Sequence, residues 1–583
     1  LIGNDDNCLL HILDRCSTSF GKRRLRFWIM HPLRSIDAIN QRLDAIDELN
    51  GKDYVVLPKQ LQSFPDLERI LARVYSNRCN VKIFLDCLES LQNAAKFIKP
   101  LEGKFTSTLL KNLTMRVNSS KLLHNLSEIS DSIEKSESLE ANELIVKHGV
   151  FPDIDEIDEE VKDIDRRLHQ ELDSIKKEIG CKNICFTDIQ SERYQVQIPI
   201  NYTSDLDDDF TLISQNKQFK RYRTTAIKDL ITELENVENE RLKRRSGCHA
   251  RFIRDFSKHS TDWNNLVDTL AELDCLLSLA SASKRWAKPA CRPTFIEKDD
   301  PLAGGRAYIN IKQMRHPCID QCTPNDVLMS NKYVLIITGP NSSGKSTFAR
   351  MCCIGIVLAQ LGCYLPAEEA TLTVFDQIFT RIGAGDRLFS GQSTFAVELS
   401  ETARLMKNST SDSFVVLDEL GRGTSTFDGV AIATAVLEYF LQQKQCPLVF
   451  CTHYHIITQQ FQSVGPVRNV SMKYRINDKK LVLLHELIDG PCLNSFGCAV
   501  ARMCGLSDEI TREAQQIADD FDERHSALHA ETDQCQITKI ELREDFVQHT
   551  EKVIEILDSN TMPLAMVSEL DKEQKEIKKL DLG

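Results

Sequence analysis

Among the 20 cysteines of this 583-residue chain, no two are spaced as C-x-x-C. That excludes the commonest zinc and dithiol patterns and leaves reduced, mostly buried thiols of an intracellular protein as the reading. Long apolar runs are also missing. The stretch 351–366 is interrupted by Gln360 and is too short to cross a bilayer, so no membrane role is expected. The opening Leu1-Ile2-Gly3-Asn4-Asp5-Asp6 has neither a basic n-region nor an apolar h-region, so it does not read as a secretory signal. It has no initiator Met either, and the chain reads as a piece of a longer one. Internal repeats and low-complexity segments are absent. Positive charge is in deficit: 72 Lys+Arg against 85 Asp+Glu give −13, which argues against general coating of nucleic acid but not against a local basic surface. The expected compartment is cytosol or nucleus. The length predicts several domains, and 42% hydrophobic with 27% charged residues is ordinary for a globular protein.

The most informative stretch is Gly339-Pro340-Asn341-Ser342-Ser343-Gly344-Lys345-Ser346-Thr347. The β-branched run Tyr333-Val334-Leu335-Ile336-Ile337 before it predicts a buried parallel strand, and Phe348-Ala349-Arg350-Met351 after it opens a helix. Strand, G-x-x-x-x-G-K-S and helix make a P-loop. Backbone N–H groups turn inward to cradle phosphates, and the helix N-terminus adds partial positive charge. Lys345 is the candidate for the β/γ-phosphates and the Ser346 hydroxyl for Mg²⁺, so the chain is expected to bind a nucleoside triphosphate.

Phe414-Val415-Val416-Leu417-Asp418-Glu419 is an apolar strand ending in two carboxylates. Asp418 is expected in the Mg²⁺ shell near Ser346, because parallel strands present their ends along one edge. Glu419 is expected to orient or deprotonate the attacking water. Leu448-Val449-Phe450-Cys451-Thr452-His453 is a similar strand, and His453 is the candidate γ-phosphate sensor. Ser393 sits where a helix begins, and by itself fits a phosphate contact or a plain N-cap equally well.

Upstream, apolar positions at helical spacing predict a helix over 20–29, stopped by His31-Pro32, and another from Ser35 to Leu49. A long charged helix is predicted over 156–179, with Ile157, Val161, Ile164, Leu168, Leu172 and Ile175 on one stripe. The period then switches to two at 184–188 and 194–199, and helical periodicity returns at Ala226. A small strand-rich unit is thus inserted between two long helices. Lys217, Lys220, Arg221 and Arg223 fall in its basic segment, either as phosphate contacts or as an ordinary solvated hairpin.

Gly339-Pro340-Asn341, Gly344-Lys345-Ser346-Thr347, Phe379-Thr380-Arg381-Ile382-Gly383-Ala384-Gly385-Asp386, Ser393-Thr394-Phe395, Asp418-Glu419-Leu420-Gly421-Arg422-Gly423-Thr424-Ser425 and Thr452-His453-Tyr454 together resemble the MutS mismatch-repair ATPases. Phe20-Gly21-Lys22-Arg23, Gly149-Val150-Phe151-Pro152, Gly362-Cys363-Tyr364-Leu365-Pro366 and 397–403 resemble most the eukaryotic MutS homologue six branch, the mismatch-reading subunit of MutSα. The resemblance implies a multidomain α and α/β protein. It comprises a helical core and lever over 1–165, a small β clamp with flanking lever helices over 166–245, and a returning lever helix and linker over 246–292. An ABC-type P-loop ATPase domain over 293–505 and a C-terminal helical dimerisation region over 506–583 follow. It also implies ATP and Mg²⁺ as cofactors, mismatched or branched duplex DNA as ligand, a second MutS-family subunit, a MutL-type protein as a further partner, and the nucleus as location. Ser393 would then act in trans on the partner's nucleotide, and nucleotide exchange would convert a scanning dimer into a sliding clamp.

The sequence departs from the family pattern in three ways. The mismatch-reading domain with its Phe-x-Glu wedge, and most of the connector, would precede Leu1. Ser342-Ser343 replace the usual Met-Gly, as in the meiotic branch, and Cys322 stands where an aromatic usually stacks on adenine. Two other readings follow: a meiotic-type clamp without mismatch reading, and a non-catalytic partner subunit, which Lys345, Asp418 and Glu419 disfavour.

Overall fold

The computed structural model describes residues 8–51, 54–189, 192–201, 206–286, 288–383, 394–477, 480–492, 496–518 and 520. Ser393 and most of the expected C-terminal helical region, 521–583, lie outside the described residues. Two compact units are present, one of Cys16–Arg23 and Val55–Asp274, the other of Leu1–Arg15, Arg24–Tyr54 and Cys275–Gly583.

Local signals set the N-terminal helices. Helix α1 (Ser19–Met30) stops before His31-Pro32, and α2 (Ile36–Leu49) starts at Ser35, whose hydroxyl accepts from Ala38 N at 3.4 Å. Ile39, Leu43, Ile46 and Leu49 form its buried stripe. Two long helices follow, α3 (Pro152–Ile179) and α4 (Thr225–Ser246). They run antiparallel, since Asp158 meets Arg241 at 2.5 Å whereas Arg167 meets Glu233 at 2.8 Å. At 28 residues α3 is about 42 Å long. Its first turn is acidic (Asp153, Asp155) and the last turn of α4 is basic (Lys243, Arg244, Arg245), so both complement their helix dipoles.

Between them stand β1 (Cys185–Ile189), β2 (Glu192–Pro199), β3 (Thr211–Gln215) and β4 (Phe219–Arg223), an antiparallel sheet in the order β1-β2-β4-β3. The strand alternation read in the sequence has a plain physical result. Val196 and Ile198 of β2 face inward with Ile184, against Ile164, Leu168, Leu172 and Ile175 of α3 and Ile227 and Leu234 of α4.

The other unit holds two sheets. In one, β5 (Thr294–Phe295), β6 (Ile309–Met314), β7 (Asn325–Met329) and β9 (Glu369–Leu372) run in the order β5-β9-β6-β7. The other comprises β8 (Val334–Thr338), β10 (Ile378–Arg381), β11 (Phe414–Asp418), β12 (Leu448–Cys451), β13 (Val467–Asn477) and β14 (Lys480–Asp489). Its order is β10-β11-β12-β8-β13-β14, parallel except for β14 at the edge. Every residue of β8, β11 and β12 is buried, as two covered faces require. Val334, Ile336, Val415, Leu417, Leu448 and Phe450 share a core with Leu437 and Phe440. Helices α5 (Lys345–Gln360), α6 (Thr394–Asn408), α7 (Thr426–Tyr439) and α8 (His455–Gln460) connect the strands. Because the central strands are parallel, β8, β11 and β12 deliver Gly339, Asp418 and His453 to one edge.

Candidate active site

The loop after β8 has the backbone a phosphate cradle needs. Gly339 (φ +144°), Ser342 (φ +61°) and Gly344 (φ +106°) all have positive φ, and α5 opens at Lys345. Ser342 holds the left-handed form without being glycine, which costs about 1 kcal/mol. Lys345 is buried, and its Nζ donates to the carbonyls of Gly339 (3.0 Å) and Pro340 (3.1 Å). Burial pulls its pKa below the usual lysine value, with Cys451, Glu419 and Asp418 opposing that shift. An ammonium so placed, with only neutral carbonyls as direct partners, favours an arriving anion. The Ser343 side chain is buried too, and its Oγ has no hydrogen-bond partner.

The two neighbouring carboxylates behave oppositely. Asp418 is buried, and burial raises its pKa; the Ser346 hydroxyl bonded to it pulls the other way, and the Glu419 charge adds to the rise. Its Oδ1 has no hydrogen-bond partner. A half-satisfied buried carboxylate beside a serine hydroxyl and a phosphate loop fits a divalent cation, because a cation would complete what the protein leaves open. Glu419 is held at a pKa of about 2, first by His453, whose Nε2 lies 3.1 Å from Oε1, and then by Arg422. So weak a base fits orienting a water better than deprotonating it. Its backbone is left-handed (φ +55°), with its N–H on the Cys451 carbonyl at 2.9 Å.

Sequence reasoning gave no role to several residues at this edge. His485 on β14 has φ +56°, and its Nδ1 lies 2.8 Å from the Ser343 carbonyl; a left-handed turn inside a strand leaves no mark in an apolar pattern. Arg422, Glu398 and Tyr454 lie in quoted motifs, but their partners depend on tertiary packing. Cys322 is half-buried and donates to the Thr323 carbonyl at 3.4 Å; nearby, Asn325 bonds the His485 carbonyl and accepts from Leu487 N.

The four basic residues of the small sheet are placed unequally. Lys217 is exposed and Lys220 half-exposed. Arg221 is only 8% exposed, and its guanidinium donates to Gln197 Oε1 (3.4 Å) and Ser214 Oγ (3.5 Å). Arg223 pairs with Glu192 at 2.6 Å and donates to the Arg193 carbonyl. Strand register puts Arg221 opposite both Gln197 and Ser214, on a polar face shared with buried Gln195.

The chain is therefore a mixed helical and α/β protein whose loop after β8 is shaped as a phosphate cradle. Residues 2–280 match MutS domain III and residues 335–522 match MutS domain V. The chain is 33% identical to DNA mismatch repair protein Msh6 of Gallus gallus, over 90% of its own length and 43% of the relative. It is 32% identical to DNA mismatch repair protein MSH6 of Saccharomyces cerevisiae (91% and 44%), and 31% identical to DNA mismatch repair protein MutS of Caldicellulosiruptor saccharolyticus (89% and 60%). The chain belongs to the MutS family, in its Msh6-like branch. It spans less than half the length of the Msh6 relatives it matches.

Proposed function

We propose that this chain is the ATP-hydrolysing and DNA-holding portion of a mismatch-repair protein that works as one subunit of a MutS-type heterodimer. The observation that carries the reading is the buried, unpartnered Asp418 Oδ1 beside Ser346 and the Lys345 loop, at the ends of parallel strands. The residues from Gly339 to Thr347 would hold the triphosphate, with Lys345 as its cationic partner. Ser346 and Asp418 would hold Mg²⁺, which supplies charge neutralisation on the phosphates. Glu419 orients the water, and His453 keeps the Glu419 carboxylate turned toward the reacting end.

Within this reading Ser393 completes the partner's nucleotide site, and residues 506–583 dimerise. Residues 166–245 meet duplex DNA, with Lys217 and Lys220 as the outward-facing cations, and ATP exchange switches the dimer to a sliding clamp. A MutL-type protein is the downstream partner, and the work is nuclear. The meiotic alternative loses its support, because the similar proteins are named for mismatch repair. Single-turnover hydrolysis of ATP with Mg²⁺ tests the reading: Glu419→Gln should keep ATP binding and slow hydrolysis about 100-fold. Hydrolysis at the parental rate would remove Glu419 from its role.

A further inference from the structure

The turn that carries Glu419 is gripped from three sides. On the first, the Gly421 N–H donates to Oε1 of Glu398, on α6, at 2.7 Å. On the second, the Gly421 carbonyl accepts from the Tyr454 hydroxyl at 3.0 Å. The third side is α7. A Cβ built on Gly421 would stand 2.5 Å from the Gly429 carbonyl oxygen, and one built on Gly429 would stand 2.6 Å from the Tyr454 hydroxyl. Gly421 has φ +87°, so it needs glycine for both its backbone conformation and its space.

Glu398 is not a surface acid that happens to reach the turn. It is 5% exposed, and its counter-charge is Arg381 at the end of β10, itself 6% exposed, with Nη2 and Oε2 3.5 Å apart. A buried ion pair is expensive to assemble, and a glutamate with left-handed backbone persists only where its surroundings over-determine it. Both features converge on the same three residues, Glu419-Leu420-Gly421.

We propose that Glu398 and Tyr454 are positioning residues for hydrolysis. By fixing Gly421 between an acceptor and a donor, they keep Glu419 left-handed, with its carboxylate turned toward His453. Arg381 acts one step further back, by holding Glu398 in place. The inference rests on the hydrolytic reading above. It extends that reading from the groups at the phosphate to the scaffold that aims one of them. An aiming error of the order of 1 Å can cost up to about 100-fold in rate.

Tyr454→Phe is the discriminating variant, since it removes one hydroxyl and leaves the aromatic ring in place. In the full chain with ATP and Mg²⁺, single-turnover hydrolysis should slow about tenfold, while ATP affinity and the unfolding midpoint stay as in the parent. Glu398→Gln keeps an acceptor for Gly421 N–H but loses the charge that meets Arg381. It should slow hydrolysis with the same unchanged ATP affinity. In a Glu419→Gln background, Tyr454→Phe should add no further loss, because its effect passes through Glu419. Parental hydrolysis in Tyr454→Phe, or an equal further loss in the Glu419→Gln background, overturns the inference. A parent that binds ATP but never hydrolyses it overturns the hydrolytic reading, and this inference with it.

Discussion

Two places in this chain gather charged side chains where a phosphate is expected, and they treat them in opposite ways. At the edge of the six-stranded sheet, Asp418 Oδ1 and Ser343 Oγ are buried without partners, and Lys345 donates only to backbone carbonyls. In the four-stranded sheet between α3 and α4, Arg221 is comparably buried, yet it bonds Gln197 and Ser214, and Arg223 bonds Glu192. Buried polar groups left open cost stability and persist where a ligand completes them, whereas groups that partner one another hold the fold. Burial of a charged residue is therefore not a sign of function. What separates Asp418 from Arg221 is whether the protein finishes the hydrogen bonding; Arg223 falls between them, its charge met by Glu192 while its buried Nε has no partner.

The largest test of that contrast is Asp418→Asn. If the open Asp418 carboxylate awaits a cation, the variant should lose about 1000-fold in Mg²⁺-dependent hydrolysis, since an anionic ligand is replaced by a neutral amide. Without ligand it should be more stable than the parent, by up to about 1 kcal/mol, because an amide replaces a buried carboxylate. Calorimetry without nucleotide and a hydrolysis assay should move in opposite directions; a fall in both would mean that Asp418 is structural. Lys345→Ala follows, with ATP binding weaker by about 100-fold in a titration, the usual scale for removing one partner of a buried charged contact.

Acidification sharpens the difference between the adjacent carboxylates. The folded-state pKa of Asp418 is raised by burial, so the folded chain binds this proton more tightly than an unfolded aspartate does. Its contribution favours folding as pH falls, while the ionised form a cation requires is lost earlier than for an ordinary aspartate. Glu419 runs the other way. Its pKa of about 2 lies below the ordinary 4.5, so its stabilising contribution is complete above 4.5 and is lost as pH falls toward 2. The Mg²⁺ concentration needed for ATP binding should rise by up to about tenfold per pH unit once Asp418 begins to protonate. Glu419→Gln should move that profile toward lower pH, because the Glu419 charge adds to the rise of the Asp418 pKa, and Asp418→Asn should abolish it.

Much of this architecture was legible because burial on two faces and burial on one face write different patterns. Unbroken apolar runs gave β8, β11 and β12 to within a residue or two of their ends, and a stripe from Ile157 to Ile175 gave most of α3. The loop from Gly339 to Ser346 was legible because its chemistry demands glycine, lysine and serine at fixed offsets. The rest depends on register and on backbone sign. Lys220, Arg221 and Arg223 look alike in sequence, yet strand pairing places Arg221 across from Gln197 and Ser214 and leaves Lys220 partly open. Left-handed φ at Glu419 and His485 comes from tertiary contacts, which no local propensity records.

The smallest predicted effects divide the basic cluster itself. Arg221→Ala should cost about 1–3 kcal/mol of stability, because Gln197 and Ser214 lose their shared partner. Chemical denaturation reads this directly, and duplex DNA affinity should fall only as far as the fold is weakened. Lys217→Ala should do the reverse: the residue is exposed, so stability should hold to within about 0.5 kcal/mol. If Lys217 meets a phosphate, DNA affinity should fall a few-fold, and the slope of log affinity against log salt should shrink by about one. A Lys217→Ala chain with an unchanged salt slope would take Lys217 out of the DNA contact and leave Lys220 to be tested in the same way. An Arg221→Ala chain that keeps its stability but loses the salt-dependent contact would reverse the assignment. The internal hydrogen bonds of Arg221 would then be a resting arrangement exchanged for DNA.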